Sequence, residues 1–406
     1  MSRAIQFKLS GRQKPISIEG YRKAARSALP NMVWTYVDHG SDSMVTMQDS
    51  VDAYSRWALR LKVLVGPNPR EKSVTLHDTQ FKMPVAIAPT GLNGLSHWQG
   101  DVAMAKGAEA AGTRLVLSGG GSHSVEEVAE ATAENHWFQL YPWGDRNLTG
   151  SLMKRAQEAG YPVLVVTVDV QVVGNREGER LQGMGIPPVL TPRRVIDGAL
   201  HPRWAYGFLK HQRVSVRNLT DDAGIGAAAR SAEEFRRQVS MENLGWEDLE
   251  WMRDQWPGPL YVKGILDPSD AERAVALGAD GIVVSNHGGR QLDHCLATVD
   301  ALPGIVAAVG DRATVILDGG IRRGSDVIKA LCLGADLCLV GRPAVYGLAA
   351  DGQDGVSAVL QIFHDEIDRT MLLMGAKSIA ELDQSWLIRA GGSPLNTEPG
   401  VPLLAS

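Results

Sequence analysis

A histidine followed by two glycines and an arginine is the clearest chemical signal in this 406-residue sequence. His287 follows Asn286 and precedes Gly288-Gly289, and Arg290 comes three residues after it. Imidazole ionises near neutral pH, so His287 suits the work of a general base. The glycines let a substrate approach closely, and Arg290 offers a guanidinium that can bind a carboxylate through two hydrogen bonds. The segment therefore predicts proton transfer from an anionic substrate.

A second group of residues indicates an anion site. Asp318-Gly319-Gly320 is followed closely by Arg322, and Gly341-Arg342 comes after the next apolar run. A glycine pair lets backbone N–H groups approach an anion, and a helix that follows it presents a positive N-terminus. A Gly-Gly pair alone is more often a plain turn. With two arginines nearby, it predicts a phosphorylated ligand without saying which one.

Three further charged residues each have a bland and a functional interpretation. Lys263 ends an apolar run, where it serves in a structural ion pair or as the Schiff-base lysine of an aldolase-type barrel. Asp169 is placed to orient an imidazole and to stabilise its protonated form. Arg176 is either a surface charge or a second guanidinium beside Arg290 for a substrate carboxylate.

A short apolar run, a polar or glycine-rich turn and an amphipathic helix recur from Pro84 onwards. The runs are rich in Val, Ile and Leu and do not alternate with polar residues, which is typical of parallel strands buried on both faces. The predicted strands are Val85–Ala88, Leu115–Ser118, Trp137–Tyr141, Val163–Asp169, Leu260–Lys263, Gly281–Ser285, Thr314–Asp318 and Leu337–Val340. Eight such units predict an α/β fold, a TIM (β/α)8 barrel with its active site at the carboxyl ends of the strands.

The remaining segments fall outside this repeat. We predict an N-terminal helical preface over residues 1–83, the barrel over 84–385 and a C-terminal tail over 386–406. A long insert, about 177–245, follows the fourth strand. It contains six basic residues and three aromatic ones: Arg193, Arg194, Arg203, Lys210, Arg213, Arg217, Trp204, Tyr206 and Phe208. The insert is either a solvated lid over the active site or a basic, aromatic patch that lies on an anionic membrane.

Composition excludes several classes of protein. Hydrophobic residues make up 44% of the chain and charged residues 21%, as in an ordinary globular protein. The net charge of −5 gives no general attraction to nucleic acid. The three cysteines lack CxxC spacing, so we expect no disulfide framework. The sequence also shows no convergent cluster of His, Asp and Glu residues, so we expect no metal site. Residues 1–15 lack the apolar core of a signal peptide, so we predict a cytoplasmic protein, or one resting on the inner face of the cell membrane.

The nine residues Ser285–Asp293 resemble the signature of the FMN-dependent 2-hydroxy-acid dehydrogenase and oxidase family. The segments Asp318–Gly324 and Gly341-Arg342 also match, and the resemblance extends from about Gly20 to about Leu387. It implies an FMN-containing barrel that oxidises an (S)-2-hydroxy acid to the 2-oxo acid. The electrons would pass to a quinone, oxygen or a carrier protein, and the chain would form a homotetramer.

The resemblance also implies roles for individual residues. His287 is implied as the catalytic base, with Asp169, Tyr141 and Arg290 also catalytic. The substrate would be bound by Tyr36, Tyr141, Arg176 and Arg290. The flavin would be held by Pro89, Thr90, Gly91, Ser118, Gln139, Thr167, Lys263 and Ser285. Its ribityl phosphate would be held by Asp318, Gly319, Gly320, Arg322, Gly341 and Arg342.

Two departures bear on the substrate. Gly91 stands where oxidase-like members have alanine, and Gly120 stands where the glycolate enzymes have a bulky residue. Both imply more room beside the flavin. The run Pro89–Gly94 resembles the mandelate dehydrogenases in particular, which favours a bulky or aromatic substrate such as mandelate. A lactate or glycolate-type oxidase, an FMN-binding isomerase barrel and an inactive flavin-binding scaffold are the alternatives.

Overall fold

The computed structural model describes residues 14–390, except 67–68, 186–187 and most of the stretch 221–243. Three helices and three short strands precede the barrel: α1 (Ile18–Ala28), α2 (Asn31–Asp38), α3 (Val45–Asp52), β1 (Trp57–Leu59), β2 (Val74–Leu76) and β3 (Thr79–Phe81). Helix α1 begins where the Ser17 side chain accepts a hydrogen bond from the Gly20 N–H. The predicted preface is therefore helical only in its first part, because residues 57–81 contain strands.

The barrel alternates strands and helices from residue 85 onwards. Its elements, including those of the insert, are β4 (Val85–Ile87), α4 (Gly100–Ala110), β5 (Val116–Ser118), α5 (Val125–Ala131), β6 (Trp137–Leu140), α6 (Arg146–Glu158), β7 (Leu164–Thr167), α7 (Glu177–Leu181), α8 (Pro192–Ala199), α9 (Pro202–His211), α10 (Trp246–Gln255), β8 (Leu260–Ile265), α11 (Pro268–Ala276), β9 (Gly281–Val284), α12 (Thr298–Val309), β10 (Thr314–Asp318), α13 (Gly324–Cys332), β11 (Leu337–Val340) and α14 (Arg342–Met374). All eight predicted strands are present, with ends that differ by no more than two residues.

The eight strands are parallel and pair in the order β4-β11-β10-β9-β8-β7-β6-β5. A parallel bridge between Ile87 and Leu115 joins the two ends of this order, so the sheet closes into a barrel. The prediction of a TIM barrel is confirmed. Closure places the carboxyl ends of all eight strands around one mouth, where the predicted site residues lie.

Apolar side chains fill both sides of the barrel wall. One cluster lies between the strands and the surrounding helices, and a smaller one fills the interior. The interior cluster includes Leu76 and Phe81 of the β2–β3 hairpin, and the Phe81 ring packs edge-on against Trp137 with centroids 5.6 Å apart. This packing closes the end of the barrel opposite the mouth. Both faces of each strand are thus apolar, which explains why the strand sequences do not alternate.

One feature differs from the predicted organisation. Residues Leu387–Arg389 form strand β12, which pairs antiparallel with β1 (Trp57–Leu59), so the predicted tail boundary at 386 lies too early. A local pattern of three residues gives no sign of a partner more than 300 residues away. Helix α14 is interrupted at Asp351 and Gly352, whose backbone angles are not helical. No helix in the described part of the chain is long and apolar enough to cross a membrane.

The insert covers part of the barrel mouth. Helix α8 is held to the preface by Asp197, which accepts hydrogen bonds from the backbone and side-chain nitrogens of Asn31. Helix α9 is held to the barrel by Trp204, whose indole N–H donates to the Leu95 carbonyl at 2.7 Å. The insert is therefore docked at two points, and part of the predicted insert, in the stretch 221–243, lies outside the described residues.

Candidate active site

One cavity of about 1110 Å³ opens at the barrel mouth, and most of the predicted site residues line it. Those that do so are Tyr36, Pro89, Thr90, Gly91, Ser118, Tyr141, Arg176, Lys263, His287, Arg290, Asp318, Gly319, Gly320, Arg322, Gly341 and Arg342. Gln139, Thr167, Asp169 and Ser285 lie just behind this wall and contact its members or the strand ends. Residues from the preface, the ends of all eight strands and the insert thus meet at a single place.

His287 lies in a loop whose backbone is unusual. Its φ angle is +57°, and Gly288 and Gly289 follow at +64° and +71°. Left-handed backbone costs a non-glycine residue about 1–2 kcal/mol, and such strain is characteristic of functional sites. The loop packs closely against helix α3, where a Cβ on Gly289 would lie only 2.6 Å from the Met47 backbone. The sequence thus holds the imidazole at the mouth at the expense of local strain.

Asp169 fixes the orientation of the imidazole. The Nδ1 atom of His287 lies 3.0 Å from Asp169 Oδ1. Because a carboxylate accepts hydrogen bonds, Nδ1 is the donor, and the lone pair on Nε2 is free for a proton. Burial lowers the pKa of His287 below its ordinary value, although Asp169 acts in the opposite direction. The imidazole is therefore neutral at neutral pH, as a general base must be.

Lys263 is buried in the wall of the cavity, with only 4% of its side chain exposed. Its ammonium lies 3.1 Å from Asp318 Oδ2 and donates to the Ser285 hydroxyl at 2.8 Å. The buried lysine therefore has the anionic partner that its burial requires. A paired, charged ammonium is a poor nucleophile, which weighs against the Schiff-base interpretation.

Three buried polar atoms at the strand ends fit a bound heterocycle. Gln139 Nε2, Thr167 Oγ1 and Asp318 Oδ1 have no hydrogen-bond partner among the described residues. Buried polar groups are nearly always paired, so such orphans indicate a missing partner. The other side of Gln139 is fixed, because its Oε1 accepts from the Ser118 hydroxyl at 3.1 Å. The set offers both donors and acceptors, as the edge of an isoalloxazine ring requires.

The far end of the cavity fits a phosphate. Gly319 and Gly320 have φ angles of +96° and +74°, and helix α14 begins at Arg342, directly after Gly341, at the same cavity. Backbone N–H groups and a helix N-terminus bind anions well. The Arg322 guanidinium also lines this end of the cavity. The residues present therefore fit a phosphorylated flavin, with its ring at the orphaned atoms and its phosphate at the glycine turn.

Arg342 does more than the anion-site prediction assigned to it. Its guanidinium donates to the carbonyls of Val37 and His39, at the end of α2, and to the carbonyl of Gly288 beside His287. Burial lowers its pKa to about 10, which still leaves it charged at neutral pH. The side chain therefore caps a helix C-terminus and holds the histidine loop. Which loops meet there is a tertiary fact that the Gly-Arg pair does not reveal.

Two arginines and two tyrosines line the cavity near His287. Tyr36 donates to the Gly91 carbonyl at 3.1 Å, and the Arg290 guanidinium lies 5.0 Å from the centre of the Tyr36 ring. Arg290 also donates to the carbonyls of Tyr36 and His39. Burial raises the pKa of Tyr36 and Tyr141, so both hydroxyls stay protonated. The arrangement places positive charge and two tyrosine hydroxyls where a carboxylate could bind.

Glu179 is a site residue that the sequence reasoning missed. It lines the cavity, is buried, and accepts a hydrogen bond from Arg290 at 2.9 Å. The signal was present, since Glu179 follows Arg176 by three residues at the start of a helix, where such pairs face each other. Within a long insert, about 177–245, this spacing does not stand out from the other charged residues.

The insert residues divide between the cavity and the surface. Trp204 and Phe208 line the cavity, whereas Tyr206 is exposed. Of the six basic residues, Arg213 and Arg217 pair with Glu127, and Arg194 donates to two backbone carbonyls. The other three, Arg193, Arg203 and Lys210, are exposed. The predicted basic, aromatic patch is therefore smaller than the sequence suggested.

Comparison with known proteins identifies the family. The model of the FMN-dependent dehydrogenase family matches residues 25–389. The L-lactate dehydrogenase of Allorhizobium ampelinum is 42% identical over 381 residues, covering 91% of this chain and 97% of the relative. The (S)-mandelate dehydrogenase of Pseudomonas putida is 38% identical over 387 residues, covering 95% and 97%. A solved structure described as monotopic membrane protein (S)-mandelate dehydrogenase superposes with a TM-score of 0.89 at 38% identity, covering 93% of this chain and all of the other. The chain therefore belongs to the FMN-dependent dehydrogenase family, and FMN is its cofactor.

Proposed function

We propose that this protein oxidises an (S)-2-hydroxy acid to the corresponding 2-oxo acid with FMN as the immediate electron acceptor. The observation that carries the proposal is the neutral imidazole of His287, held by Asp169 at 3.0 Å, in the same cavity as the guanidiniums of Arg176 and Arg290. A base next to a carboxylate site is what the α-carbon chemistry of a hydroxy acid requires.

The side chains divide the work as follows. Arg176 and Arg290, with Tyr36 and Tyr141, hold the substrate carboxylate and orient the hydroxyl carbon. His287 Nε2 accepts the proton that is released when the alcohol becomes a ketone, and Asp169 stabilises the resulting imidazolium. Bound FMN supplies the two-electron acceptor. The docked insert limits the access of water to the cavity.

The residues at the strand ends would contact different parts of FMN. Pro89, Thr90, Gly91, Ser118, Gln139 and Thr167 would contact the flavin ring. Lys263 and Ser285 would stabilise negative charge on it. Asp318, Gly319, Gly320, Arg322, Gly341 and Arg342 would hold the ribityl and phosphate groups. Arg342 would contact the phosphate through its backbone N–H, because its side chain donates to three carbonyls.

A bulky or aromatic substrate, such as mandelate, fits the cavity best. Neither Gly91 nor Gly120 places a side chain in it, and both line it. The adjoining wall is apolar, with Met32, Val170, Trp204 and Phe208 among its residues. Burying an aromatic side chain there contributes hydrophobic free energy that a methyl group cannot match. A smaller acid such as lactate remains the second candidate, because one relative of similar identity is an L-lactate dehydrogenase.

The electron acceptor is proposed to be a membrane quinone, reached through peripheral contact on the inner face of the membrane. Helix α8 has no buried residue, and Ile196 and Leu200 are 60% and 73% exposed. Arg193 is exposed on the same helix, and Arg203 and Lys210 are exposed on the neighbouring helix α9. Apolar residues flanked by basic ones suit an anionic bilayer surface. The likeness to a monotopic membrane protein supports this assignment.

The test is anaerobic mixing of the FMN-loaded protein with mandelate, lactate, glycolate and longer 2-hydroxy acids. Bleaching of the flavin absorbance by at least one acid, fastest with an aromatic one, is the expected result. An isomerase barrel or an inactive scaffold would show no net bleaching with any of them. Reoxidation by a quinone analogue faster than by oxygen would support a dehydrogenase, and the reverse order an oxidase. Light scattering of the holoenzyme tests the proposed homotetramer.

A further inference from the structure

A buried carboxylate lies between the two guanidiniums that face the substrate. Glu179 Oε1 accepts a hydrogen bond from Arg290 Nη2 at 2.9 Å and lies 4.0 Å from Arg176 Nε. Its side chain is 9% exposed, and the two arginines are 16% and 20% exposed. The three groups form a compact cluster, which we call the arginine–glutamate clamp.

The charges of the clamp sum to one positive unit. Arg176 and Arg290 contribute two positive charges and Glu179 one negative charge. Burial, and then the charge of Arg290, lower the pKa of Arg176, while Glu179 acts in the opposite direction. The repulsion between the arginines is thus relieved before any ligand binds. A single carboxylate makes the clamp neutral, whereas a second anionic group on the same ligand finds no further positive charge within the clamp.

In the described part of the chain, the other cations that line the cavity each have partners of their own: Arg180 donates to the Asn175 side chain, and Arg194 and Arg342 donate to backbone carbonyls. Lys263 is already paired with Asp318 at 3.1 Å. Asp169 is paired with the neutral His287 and contributes negative charge to the cavity wall. A dianionic ligand at the clamp therefore brings its second negative charge close to Glu179 and Asp169, and like charges within a few ångströms in a desolvated site repel strongly.

We propose that Glu179 is a specificity-determining residue that sets the clamp to accept one carboxylate and to disfavour dianions. This inference rests on the proposed function, and it narrows the substrate class to 2-hydroxy monocarboxylic acids. A hydroxy acid with a second carboxylate, such as 2-hydroxysuccinate, is disfavoured by charge and not by size. Glu179 also holds Arg290 in place, so the clamp is formed before the substrate arrives.

The test compares two ligands of nearly equal size and different charge. Oxalate is a dianion, and its monoamide oxamate is a monoanion. Their Kd values are measured from the difference spectrum of FMN in the holoenzyme, without turnover. Removing the charge of Glu179 strengthens the binding of a dianion more than that of a monoanion, because the electrostatic gain scales with ligand charge. In Glu179→Gln we expect the preference for oxalate over oxamate to rise by about tenfold or more.

Three further variants complete the design. Glu179→Ala also removes the charge and should raise the same ratio, which gives a second measurement if one variant folds poorly. Glu179→Asp keeps the charge and should leave the ratio within about threefold of the parent value, less than 1 kcal/mol. Glu177→Gln removes an exposed carboxylate on the same helix that does not line the cavity, and should leave the ratio unchanged.

The outcomes separate this inference from the proposed function. An unchanged ratio in both Glu179→Gln and Glu179→Ala, with FMN still bound, would overturn the charge-setting role. An equal rise in Glu179→Asp would overturn it as well, because geometry and not charge would then be responsible. Failure of every 2-hydroxy acid to bleach the parent flavin would instead refute the proposed function, while the Kd ratios would still be measurable.

Discussion

The barrel mouth and helices α8 and α9 both border the cavity, but they are built in different ways. At the mouth, His287, Lys263 and Arg342 are each tied by hydrogen bonds to partners from other elements. On α8, by contrast, large apolar side chains such as Ile196 and Leu200 point into solvent. The polar groups of the mouth are thus paired within the chain, whereas α8 leaves apolar surface exposed.

The difference shows that the barrel fixes the geometry of the site, whereas the exposed face of α8 depends on something outside the chain. A site held by buried partners keeps its geometry whether or not a ligand or membrane is present. An exposed apolar face, in contrast, is stabilised only when something covers it. We therefore expect substitutions at the mouth to change the rate of flavin reduction. Substitutions on α8 should instead change binding to a membrane, and neither group should affect the other property much. Four predictions test this separation, in decreasing order of effect.

The largest effect is expected from His287→Ala. Removing the base should slow anaerobic flavin reduction by roughly 10²–10⁴-fold, while FMN remains bound. Stopped-flow absorbance of the flavin measures the rate. His294→Ala is a matched control, because His294 also has left-handed backbone, at φ +62°, and lies exposed in the same loop. Equal loss in both variants would indicate damage to the loop and not loss of a base.

Asp169→Asn should have a smaller effect on rate and a distinctive effect on pH dependence. The parent rate should fall as the pH drops through the pKa of His287, which burial places below its ordinary value, because the protonated imidazole is no base. Asp169 raises that pKa, so its loss lowers it further and moves the acid limb to lower pH. We expect the plateau rate to drop about 10²-fold, the lower end of the range for acid–base catalysis.

Profiles of the flavin reduction rate between pH 4 and 8 would check the Asp169 prediction. The absorbance spectrum of bound FMN serves as the control for folding. An acid limb that stays in place, or that moves to higher pH, would show that Asp169 does not interact with His287 as the 3.0 Å contact implies. The mouth would then be less firmly tied together than its hydrogen bonds indicate.

A charge on the exposed face of α8 should affect the membrane and spare the chemistry. Neither Ile196 nor Leu200 lines the cavity. Burying each in a bilayer contributes about 1.5–3 kcal/mol, so Ile196→Asp or Leu200→Asp should weaken binding to anionic vesicles by about tenfold or more. Co-sedimentation measures the binding. Leu373→Asp is the control, since Leu373 is similarly exposed but lies at the end of α14.

If both α8 variants bound vesicles as the parent does, the apolar face of α8 would not be the membrane contact. If they instead lost flavin reduction, the separation between mouth and insert would fail. Either outcome would favour the other interpretation of the insert from sequence, a solvated lid over the active site.

The sequence predicted the mouth far better than the insert, and the reason is physical. Strand ends in a parallel barrel converge by topology, so Lys263, Asp318 and His287 could be placed together from their positions alone. Glu179, the Arg342 contacts and the pairing of Leu387–Arg389 with β1 depend on contacts between distant segments, which no local pattern specifies. Likewise, the sequence gives the number of basic residues in the insert. It does not tell which of them are exposed and which form ion pairs within the protein.

The smallest effect is expected from Gly91→Ala, and it asks which region sets the size of the substrate. A Cβ at this position would lie 3.2 Å from the Gly120 carbonyl and 3.7 Å from the Tyr36 hydroxyl, so it fits with a small adjustment and takes up room in the cavity. We expect kcat/KM for mandelate to fall a few-fold relative to that for lactate, about 1 kcal/mol for a methyl group in a tight pocket. Gly150→Ala, on α6 with only ordinary contact to Trp251, is the control. If the ratio of kcat/KM for mandelate to that for lactate did not change, the insert and not the barrel mouth would select the side chain of the substrate.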